Sequence, residues 1–466
     1  MSSPEPRLRF VEKFGYGLGD TASNFFFQTF NIFLLYYYTD VYGLSAAAVG
    51  TMLFVTRALD AVAEPVIGAM ADRTRSRWGK FRPYLLWMAI PYAILGYMVF
   101  AGPQFSESGK LIYAYVVYAA MMLAYSLINI PYSALMGVMS PVSAERTSLA
   151  TYRFVCAFAG GMLITASVTP LKNALGGGDE AQGFRLTMAL FAVLSVALFW
   201  FTFATTRERV PPAGEETASL RQDFRFLLLN RPWLVMFFAA IFTLMNVGVR
   251  NAAGVYFMKY YIGDTGERVF LFFDQTALFM TSGMLAMILG VASTGFFTKR
   301  WGKRELLIVL TAINAAAMGA IFFVPADKVW LMYVINIVGT FLVGPTPALV
   351  WAMYSDVADY GEWRFHRRMT GLLFSAALFA QKVGNAFGVA IAGWVLAYCN
   401  FVPNAAQSER SLLGIRVVFC LAPSVLAFLN VVALLFYSLR DSDVARIERE
   451  LAERRDKGSI QPAAAL

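Results

Sequence analysis

The dominant feature of the sequence is a series of apolar runs that recurs from one end of the chain to the other. A helix needs about 20 residues to cross the hydrocarbon core of a bilayer, and the chain has room for about twelve such helices between short polar loops. Hydrophobic residues make up 58% of the 466 residues, and charged residues only 15%. Because backbone polar groups inside a bilayer must bond to one another, this pattern predicts an all-α protein that crosses the membrane many times.

The net charge of +9 arises from basic residues that are concentrated in certain loops. These residues cluster in the stretches 73–82, 207–225, 299–304 and 364–368, whereas alternate loops such as 103–109 and 325–328 carry little charge. Positively charged loops stay on the cytoplasmic side of a membrane. The pattern therefore places both termini in the cytoplasm and requires neither a nucleic acid nor a protein partner. The polar N-terminus does not resemble a cleaved signal peptide.

Cysteine and histidine usage argues against metal or disulfide chemistry. Cys156, Cys399 and Cys420 lie in or beside apolar runs without paired spacing, which is typical of small core residues. The single histidine, His366, cannot form a ligand cluster by itself. The sequence also lacks a nucleophile and base constellation, and its termini are too short for a signalling domain. We therefore expect no metal, no cofactor and no enzymatic activity.

The segment 206–232 breaks the rhythm of apolar runs with prolines, glutamates and arginines. It predicts a six-helix N-terminal half (1–205), a cytoplasmic loop (206–232), a six-helix C-terminal half (233–439) and a cytoplasmic tail (440–466). The motif Arg-Trp-Gly-Lys, at Arg77–Lys80 after the second predicted helix, recurs at Arg300–Lys303 after the eighth. The repeat supports two related halves, and we expect both loops to hold helix ends together. In the tail, Val444, Ile447 and Leu451 have the spacing of a surface helix.

Three ionisable residues lie within one apolar run, from residue 46 to residue 71. Arg57, Asp60 and Glu64 are spaced i, i+3 and i+7, so they share one face of the second predicted helix. Each costs about 2.5 to 3.5 kcal/mol at the centre of a bilayer, so such residues turn inward and often mark an ion or substrate path. A simpler alternative is an ion pair between Arg57 and Asp60 that only joins two helices.

Polar stripes on the first and fourth predicted helices indicate a wet cavity. Their members recur at helical spacing: Asp20, Asn24, Gln28 and Asn31 on the first, and Tyr125, Ser126, Asn129 and Ser133 on the fourth. Pro131 frees a backbone carbonyl in the fourth helix and permits a bend there. On the fifth helix, Arg153 is suited to hold a sugar hydroxyl pair, an anionic group or a carboxylate of the second helix.

The C-terminal half carries fewer charges at membrane depth. Lys382, on the eleventh predicted helix, needs a carboxylate partner, for which Asp60 and Glu64 are candidates. Arg250 is expected to line the cavity, and Arg416 to extend towards the membrane surface. At the end of the tenth helix, predicted near residue 355, three carboxylates are expected to pair with the arginines that follow: Asp356, Asp359 and Glu362 with Arg364, Arg367 and Arg368.

Six blocks, in order along the chain, resemble one family: Tyr16–Asp20, Tyr37–Asp40, Arg57–Pro65, Trp78–Pro83, Asn129–Tyr132 and Asp359–Trp363. The chain resembles the glycoside-pentoside-hexuronide:cation symporters, relatives of the bacterial melibiose carrier within the major facilitator superfamily. The resemblance implies the major facilitator fold, in which two pseudo-symmetric six-helix halves lie in the bacterial inner membrane. It also implies sugar uptake by alternating access, driven by co-transported H+, Na+ or Li+.

The resemblance assigns roles residue by residue. It implies a cation site at Asp60, Glu64 and Ser126, with Lys382 nearby, and the charged face of the second helix adds Arg57 as a further charge partner. The sugar-binding positions that it implies are Asn24, Tyr125, Asn129, Arg153 and Trp351, to which we add Asp20 from the polar stripe of the first helix.

Departures from the melibiose carrier bear on both substrates. That carrier has aspartates in place of Asn24 and Asn129, a lysine in place of Ser23 and a tryptophan in place of Ser133, so the sugar need not be a galactoside. It has Asn-Asp where this chain has Ala63-Glu64. Losing an amide oxygen disfavours sodium, which needs several oxygen ligands, so we favour H+ over Na+ as the coupling ion. A carrier of the same fold for an amphiphile such as a lysolipid is a further alternative, against which the polar stripes count.

Overall fold

The computed structural model describes residues 8–140, 143–209, 227–271, 273–298, 300–365 and 370–456. Within these ranges the chain is helical, and its one β feature is an isolated bridge between Phe270 and Phe273. His366, Arg367, Arg368 and most of the predicted central loop lie outside the described residues.

The helices of the first half of the sequence are α1 (Phe10–Tyr36), α2 (Ala46–Arg73), α3 (Arg82–Trp87), α4 (Ala89–Val99), α5 (Glu107–Met139), α6 (Ser143–Gly176) and α7 (Glu180–Thr205). The second half contains α8 (Arg231–Tyr256), α9 (Gln275–Ala292), α10 (Thr294–Thr298), α11 (Lys303–Ile321), α12 (Val329–Val343), α13 (Thr346–Phe365), α14 (Thr370–Tyr398), α15 (Glu409–Arg416), α16 (Ala422–Leu435) and α17 (Asp441–Asp456). Short π-helical segments follow α1 (Tyr37–Val41), α8 (Phe257–Ile262) and α15 (Val417–Leu421).

Eight of the described helical segments are long and apolar enough to cross a membrane. The other long helices, α1, α2 and α14, each carry polar or charged residues predicted for the site, such as Asp20, Asp60 and Lys382. The α3–α4 pair, which is interrupted at Met88, accounts for the third predicted span. The prediction of an all-α membrane protein is thus confirmed.

The tenth predicted helix differs from expectation. It is broken between α12 and α13 at Pro345, which has no N–H group to donate to a continuous helix. It then extends to Phe365 rather than ending near residue 355. Asp356 therefore lies inside α13, where it forms an ion pair with Lys303 of the repeated motif, a partner that sequence reasoning missed. The pairing of these carboxylates with Arg367 and Arg368 stays a prediction.

The chain forms two compact units. The first unit comprises Met1–Gly214, Asn251–Thr281 and Val389–Ile415, and the second comprises Glu215–Arg250, Ser282–Gly388 and Arg416–Leu466. The boundary falls within α8, α9, α14 and α15. The division into two six-helix halves stays a prediction.

In the first unit, α1 packs closely against its neighbours through the block that begins at Tyr16. The rings of Tyr16 and Tyr132 stack with centroids 4.7 Å apart, and the Tyr132 hydroxyl donates to the Tyr16 carbonyl at 2.6 Å. A Cβ atom on Gly17 would lie 2.8 Å from the Tyr152 carbonyl oxygen, and one on Gly19 would lie 2.6 Å from the Tyr132 ring. Both positions need glycine because the neighbouring atoms come too close for a side chain.

The repeated motif is held in a similar way in each unit. In the first unit, the Glu208 carboxylate accepts the backbone N–H groups of Lys80, Phe81 and Arg82 at 2.7 to 2.9 Å. In the second, the Asp441 carboxylate accepts the N–H of Lys303 at 3.1 Å. Each acid follows the last membrane helix of its own half and caps the helix that begins after the motif.

Arginines add a second set of contacts at the same places. Arg82 donates to the Phe203 carbonyl at 2.7 Å, near the end of α7, and Arg304 donates to the Leu435 carbonyl at 2.9 Å, at the end of α16. These bonds satisfy carbonyl groups that have no partner within a helix terminus. The expectation that both loops hold helix ends together is confirmed.

The tail helix α17 packs on the second unit. Its stripe of Val444, Ile447 and Leu451 is buried in one cluster with Tyr354 and Val357 of α13. The Trp363 indole donates to Glu450 at 2.6 Å across the same contact. The helical spacing was predicted correctly, but the tail is part of the packed core of this unit rather than a surface addition.

We predict that Glu208→Ala lowers the free energy of unfolding by about 1 to 3 kcal/mol, because three backbone donors lose their acceptor. Asp441→Ala should cost less, since Asp441 accepts one N–H of the motif. The thermal unfolding midpoint in detergent measures both effects. Glu267→Ala, at an exposed loop carboxylate, is the control. A Glu208→Ala midpoint equal to that of the control would contradict the clamping role.

Candidate functional site

The predicted cation site is centred on Asp60 of α2, which is buried with only 3% of its surface exposed. Ser126 of α5 donates its hydroxyl to Asp60 Oδ1 at 2.6 Å, so the structure brings these two predicted residues together. Glu64 lies one helical turn further along α2 and is half-buried. The helix α5 continues through Pro131, which leaves the Leu127 carbonyl beside Ser126 without its usual helical donor. The role of these groups as cation ligands stays a prediction.

Arg57 links three helices of the first unit. Its Nε donates to the Tyr118 hydroxyl of α5 at 3.2 Å, and its Nη2 donates to Asn31 Oδ1 of α1 at 3.0 Å. Asn31 was predicted as part of the polar stripe, but its link to Arg57 was not. Because a guanidinium at membrane depth must be fully hydrogen-bonded, these bonds fix α1 against α2 and α5.

The predicted sugar residues Asp20 and Arg153 form an ion pair. Arg153 Nε lies 3.5 Å from Asp20 Oδ2, and the two side chains are 24% and 17% exposed. The Arg153 guanidinium also lies 5.0 Å from the centroid of the Tyr132 ring. Among the described residues its carboxylate partner is thus on α1 and not on the second predicted helix, one of the alternatives considered above. The pair keeps a charged, partly accessible group between α1 and α6.

The amides of the stripe are tied into a neutral network. Ser23 donates to Asn129 Oδ1 at 3.1 Å, and Asn129 donates to the Tyr125 carbonyl at 3.1 Å. Asn24 donates to the Asp20 carbonyl at 3.1 Å, and the Tyr125 ring stacks on Phe27 with centroids 5.4 Å apart.

Two departures from the melibiose carrier thus meet in one hydrogen bond. The resemblance places a lysine at position 23 and an aspartate at position 129, whereas this chain has a hydroxyl and an amide there. The two changes conserve the overall charge, and the neutral pair avoids burying an unpaired charge.

Two predicted residues lie in the second unit. Trp351, on α13, contacts Tyr354 edge to face with ring centroids 6.0 Å apart. Lys382, on α14, is half-buried. The pairing of Lys382 with Asp60 or Glu64 stays a prediction.

Two half-buried arginines make their contacts within the second unit. Arg250 donates to Asn336 Oδ1 at 2.5 Å and lies 4.8 Å from the centroid of the Phe419 ring. Arg416 donates to the Phe322 carbonyl and lies over the Phe322 ring at 4.5 Å. No cluster of three or more histidine, cysteine, aspartate or glutamate residues in the described part of the chain has a metal-binding geometry.

Comparison with known proteins identifies the family of this chain. A family model described as MFS/sugar transport protein matches residues 15–441. The chain belongs to this family, the glycoside-pentoside-hexuronide symporters of the major facilitator superfamily. The resemblance seen in the six sequence blocks is therefore confirmed.

Two relatives of known name match this chain over nearly its whole length. The inner membrane symporter YicJ of Escherichia coli is 37% identical, and the match covers 96% of this chain and 95% of the relative. The isoprimeverose transporter of Lactiplantibacillus pentosus is 33% identical, with 92% and 88% covered. Among solved structures, a D-xylose-proton symporter superposes with a TM-score of 0.64 at 13% identity, over 90% of this chain and 97% of that one, which shows a shared fold.

We predict that Asn129→Asp alone abolishes most sugar uptake. The new carboxylate would lie beside the Ser23 hydroxyl with no lysine at position 23 to pair with its charge. The double variant Ser23→Lys with Asn129→Asp should recover folded protein, since the new charges pair. Membrane protein yield and sugar uptake of the single and double variants measure the coupling. Equal losses in Asn129→Asp and in the double variant would contradict the pairing of these two positions.

Proposed function

We propose that this family member couples the uptake of a sugar to the inward flow of H+ through Asp60 and Glu64. Sugar:cation symport is the activity of its family. The observation that carries the proposal is the Ser126–Asp60 hydrogen bond, which lies in the same unit as the partly accessible Asp20–Arg153 pair. The names of the relatives, an inner membrane symporter and an isoprimeverose transporter, support this proposal.

The polar groups around Asp20 suit a sugar. Arg153, Asn24, Asn129 and Tyr125 offer both donors and acceptors to hydroxyl groups, and we propose that Trp351 of the second unit provides an apolar face. We further propose that the sugar leaves the protein unmodified, so the protein acts as a carrier and not as an enzyme. In this proposal the protein needs no cofactor and no protein partner.

The choice of H+ rests on the oxygens available near Asp60. A proton needs a single carboxylate oxygen, whereas Na+ needs several oxygen ligands. Ala63 contributes no side-chain oxygen where the melibiose carrier has an amide, and one oxygen of Asp60 already accepts from Ser126. A glutamate such as Glu64 readily accepts a proton when its surroundings tune its affinity.

We propose that both termini face the cytoplasm, in agreement with the positive loops. Protonation of Glu64 and Asp60 from the outside then removes negative charge at membrane depth and stabilises the state that accepts sugar. Rocking of one half against the other carries both substrates inward.

Uptake into proteoliposomes tests the proposal. A panel of glycosides, pentosides and glucuronides is offered under an imposed pH gradient and, separately, an imposed Na+ gradient. We predict that a sugar accumulates with the pH gradient alone, and that Glu64→Gln retains sugar exchange but loses accumulation, because the amide carries no titratable proton. Glu107→Gln, at an exposed carboxylate of α5, is the matched control.

Each other outcome contradicts part of the proposal. Accumulation driven by Na+ alone would replace H+ with Na+. Uptake of a lysolipid without uptake of any sugar would replace the substrate class. Recovery of a chemically altered sugar from the vesicles would overturn the assignment as a carrier.

The Ser126→Ala variant distinguishes H+ coupling from Na+ coupling, because it should change the dependence of uptake on pH in one case and on Na+ in the other. Removing the Ser126 hydroxyl takes away a hydrogen bond to the Asp60 carboxylate, so we predict that half-maximal uptake shifts to higher pH. A sodium site would instead lose a ligand and need more Na+. Uptake measured against external pH and Na+ decides the direction, with Ser133→Ala on the same helix as the control. A shift to lower pH would contradict proton binding at Asp60.

A further inference from the structure

The first unit contains two segments from the second half of the sequence. They are Asn251–Thr281, which includes the end of α8, and Val389–Ile415, which includes the end of α14. In the proposed orientation both segments lie at the outer side of the membrane, as does the end of α1. A sugar that enters from outside towards Asp20 and Arg153 has to pass between these elements. The contacts that hold them together therefore decide whether the entrance is open.

A buried carboxylate lies at the centre of these contacts. Asp40, in the π-helical segment after α1, has a side chain that is buried completely. It accepts hydrogen bonds from the Tyr260 hydroxyl and from Lys259, whose ammonium lies 3.3 Å from Asp40 Oδ1. Thr39 donates its hydroxyl to Oδ2 of the same carboxylate at 2.7 Å. Charge-assisted hydrogen bonds, which are stronger than neutral ones, thus join the end of α1 to the segment after α8.

Asn404 joins the loop between α14 and α15 to the same carboxylate cluster. Its backbone N–H donates to the Tyr260 hydroxyl at 2.9 Å, its side-chain amide donates to the Asp40 carbonyl, and its Oδ1 accepts from Lys259 at 2.8 Å. Its φ of 54° lies in the left-handed region, which asparagine adopts more readily than most residues. This conformation lets one residue of the loop contact three members of the cluster.

The outer ends of α2 and α14 also meet in the first unit. A Cβ atom on Gly393 of α14 would lie 2.6 Å from the Ala46 carbonyl oxygen and 2.9 Å from the Cα atom of Gly50 on α2. Helices come this close only where both present small residues. The Trp394 indole donates to the Thr51 hydroxyl at 3.0 Å in the neighbouring turn. The two helices are therefore closed against each other here, without room for a sugar.

The cluster around Asp40 combines strong bonds with access to water. Lys259 is 28% exposed and Asn404 is exposed, so water replaces their bonds as soon as the segments move apart. A permanent contact would gain little from charge, because a buried ion pair is often no more stabilising than well-packed apolar groups. Charged groups that are easily rehydrated suit a contact that forms and breaks repeatedly.

We propose that Asp40, Lys259, Tyr260 and Asn404 form an outer latch, which keeps the entrance from outside closed in this structure and breaks in each transport cycle to admit the sugar. The latch goes beyond the proposed function, which assigns no residue to the closing of this entrance. It rests on that function for the orientation and for the rocking of the two halves. Asp40 is a positioning residue, because it stabilises the closed entrance and does not contact the sugar.

Labelling of one cysteine from each side of the membrane tests the outer latch. The reporter is Gln28→Cys, in the full-length chain with Cys156→Ala, Cys399→Ala and Cys420→Ala. Position 28 belongs to the polar stripe of α1 and precedes Asp40 by twelve residues, which is about 18 Å at 1.5 Å per residue. A membrane-impermeant maleimide is added to right-side-out or to inside-out vesicles, and its rate of reaction is measured. The test needs neither a sugar nor a coupling ion.

We predict that Asp40→Asn raises the labelling rate from the outside by about tenfold, the effect of losing one charge-assisted hydrogen bond, without raising the rate from the inside. Tyr260→Phe removes the hydroxyl that donates to Asp40 and should have an effect of the same sign. Their combined effect should be less than additive, because both variants break the same bond. Glu409→Gln, at an exposed carboxylate of α15, and Tyr398→Phe, at a side chain 75% exposed at the end of α14, are the matched controls.

The outcomes separate the outer latch from the proposed function. Labelling of Asp40→Asn from the outside at the rate of Glu409→Gln would overturn the latch, and so would faster labelling from both sides, which indicates a loosened fold. If Asp40→Asn gives no folded protein, Tyr260→Phe, which keeps the charge, decides by the same criteria. A failed latch leaves the symport proposal standing. If the entrance opens as predicted but no sugar of the panel accumulates, the proposed function fails and the latch stands.

Discussion

The need to pair every ionisable side chain at membrane depth determines how the helices of the first unit fit together. Arg57, Asp60 and Arg153 each cost several kcal/mol in a bilayer without a partner. Each is bonded by a helix other than its own: Arg57 by α1 and α5, Asp60 by α5, and Arg153 by α1. The same bonds that make these charges tolerable therefore fix α1 between α2, α5 and α6. They lie in the unit that holds the predicted cation residues and every predicted sugar residue except Trp351.

The loops follow a different rule, which is shared by both units. Each copy of the repeated Arg-Trp-Gly-Lys motif leads into a helix. Backbone N–H groups at the start of that helix donate to a carboxylate, which is Glu208 for the first copy and Asp441 for the second. The repetition of this device contrasts with the membrane interior, where the predicted cation ligands occur only in the first half of the sequence. Symmetry is thus retained where helix ends must be held, and is lost where the two halves carry different chemical groups.

The neutral Ser23–Asn129 pair bears on specificity within this family. Where the resemblance places a lysine and an aspartate, this chain has an uncharged hydroxyl and amide that bond to each other. A hydroxyl and an amide bind sugar hydroxyls without fixed charge.

The sequence by itself determined the helical membrane fold, because the length and hydropathy of each apolar run are local properties. It also determined the family and the candidate residues, since Asp60, Glu64 and Arg153 stand out wherever they lie in an apolar run. Only the tertiary structure decided which groups meet: Asp20 with Arg153, Asn31 with Arg57, Ser23 with Asn129, and Glu208 with the repeated loop. Helical spacing fixes the face of a residue but not the height or rotation of the neighbouring helix.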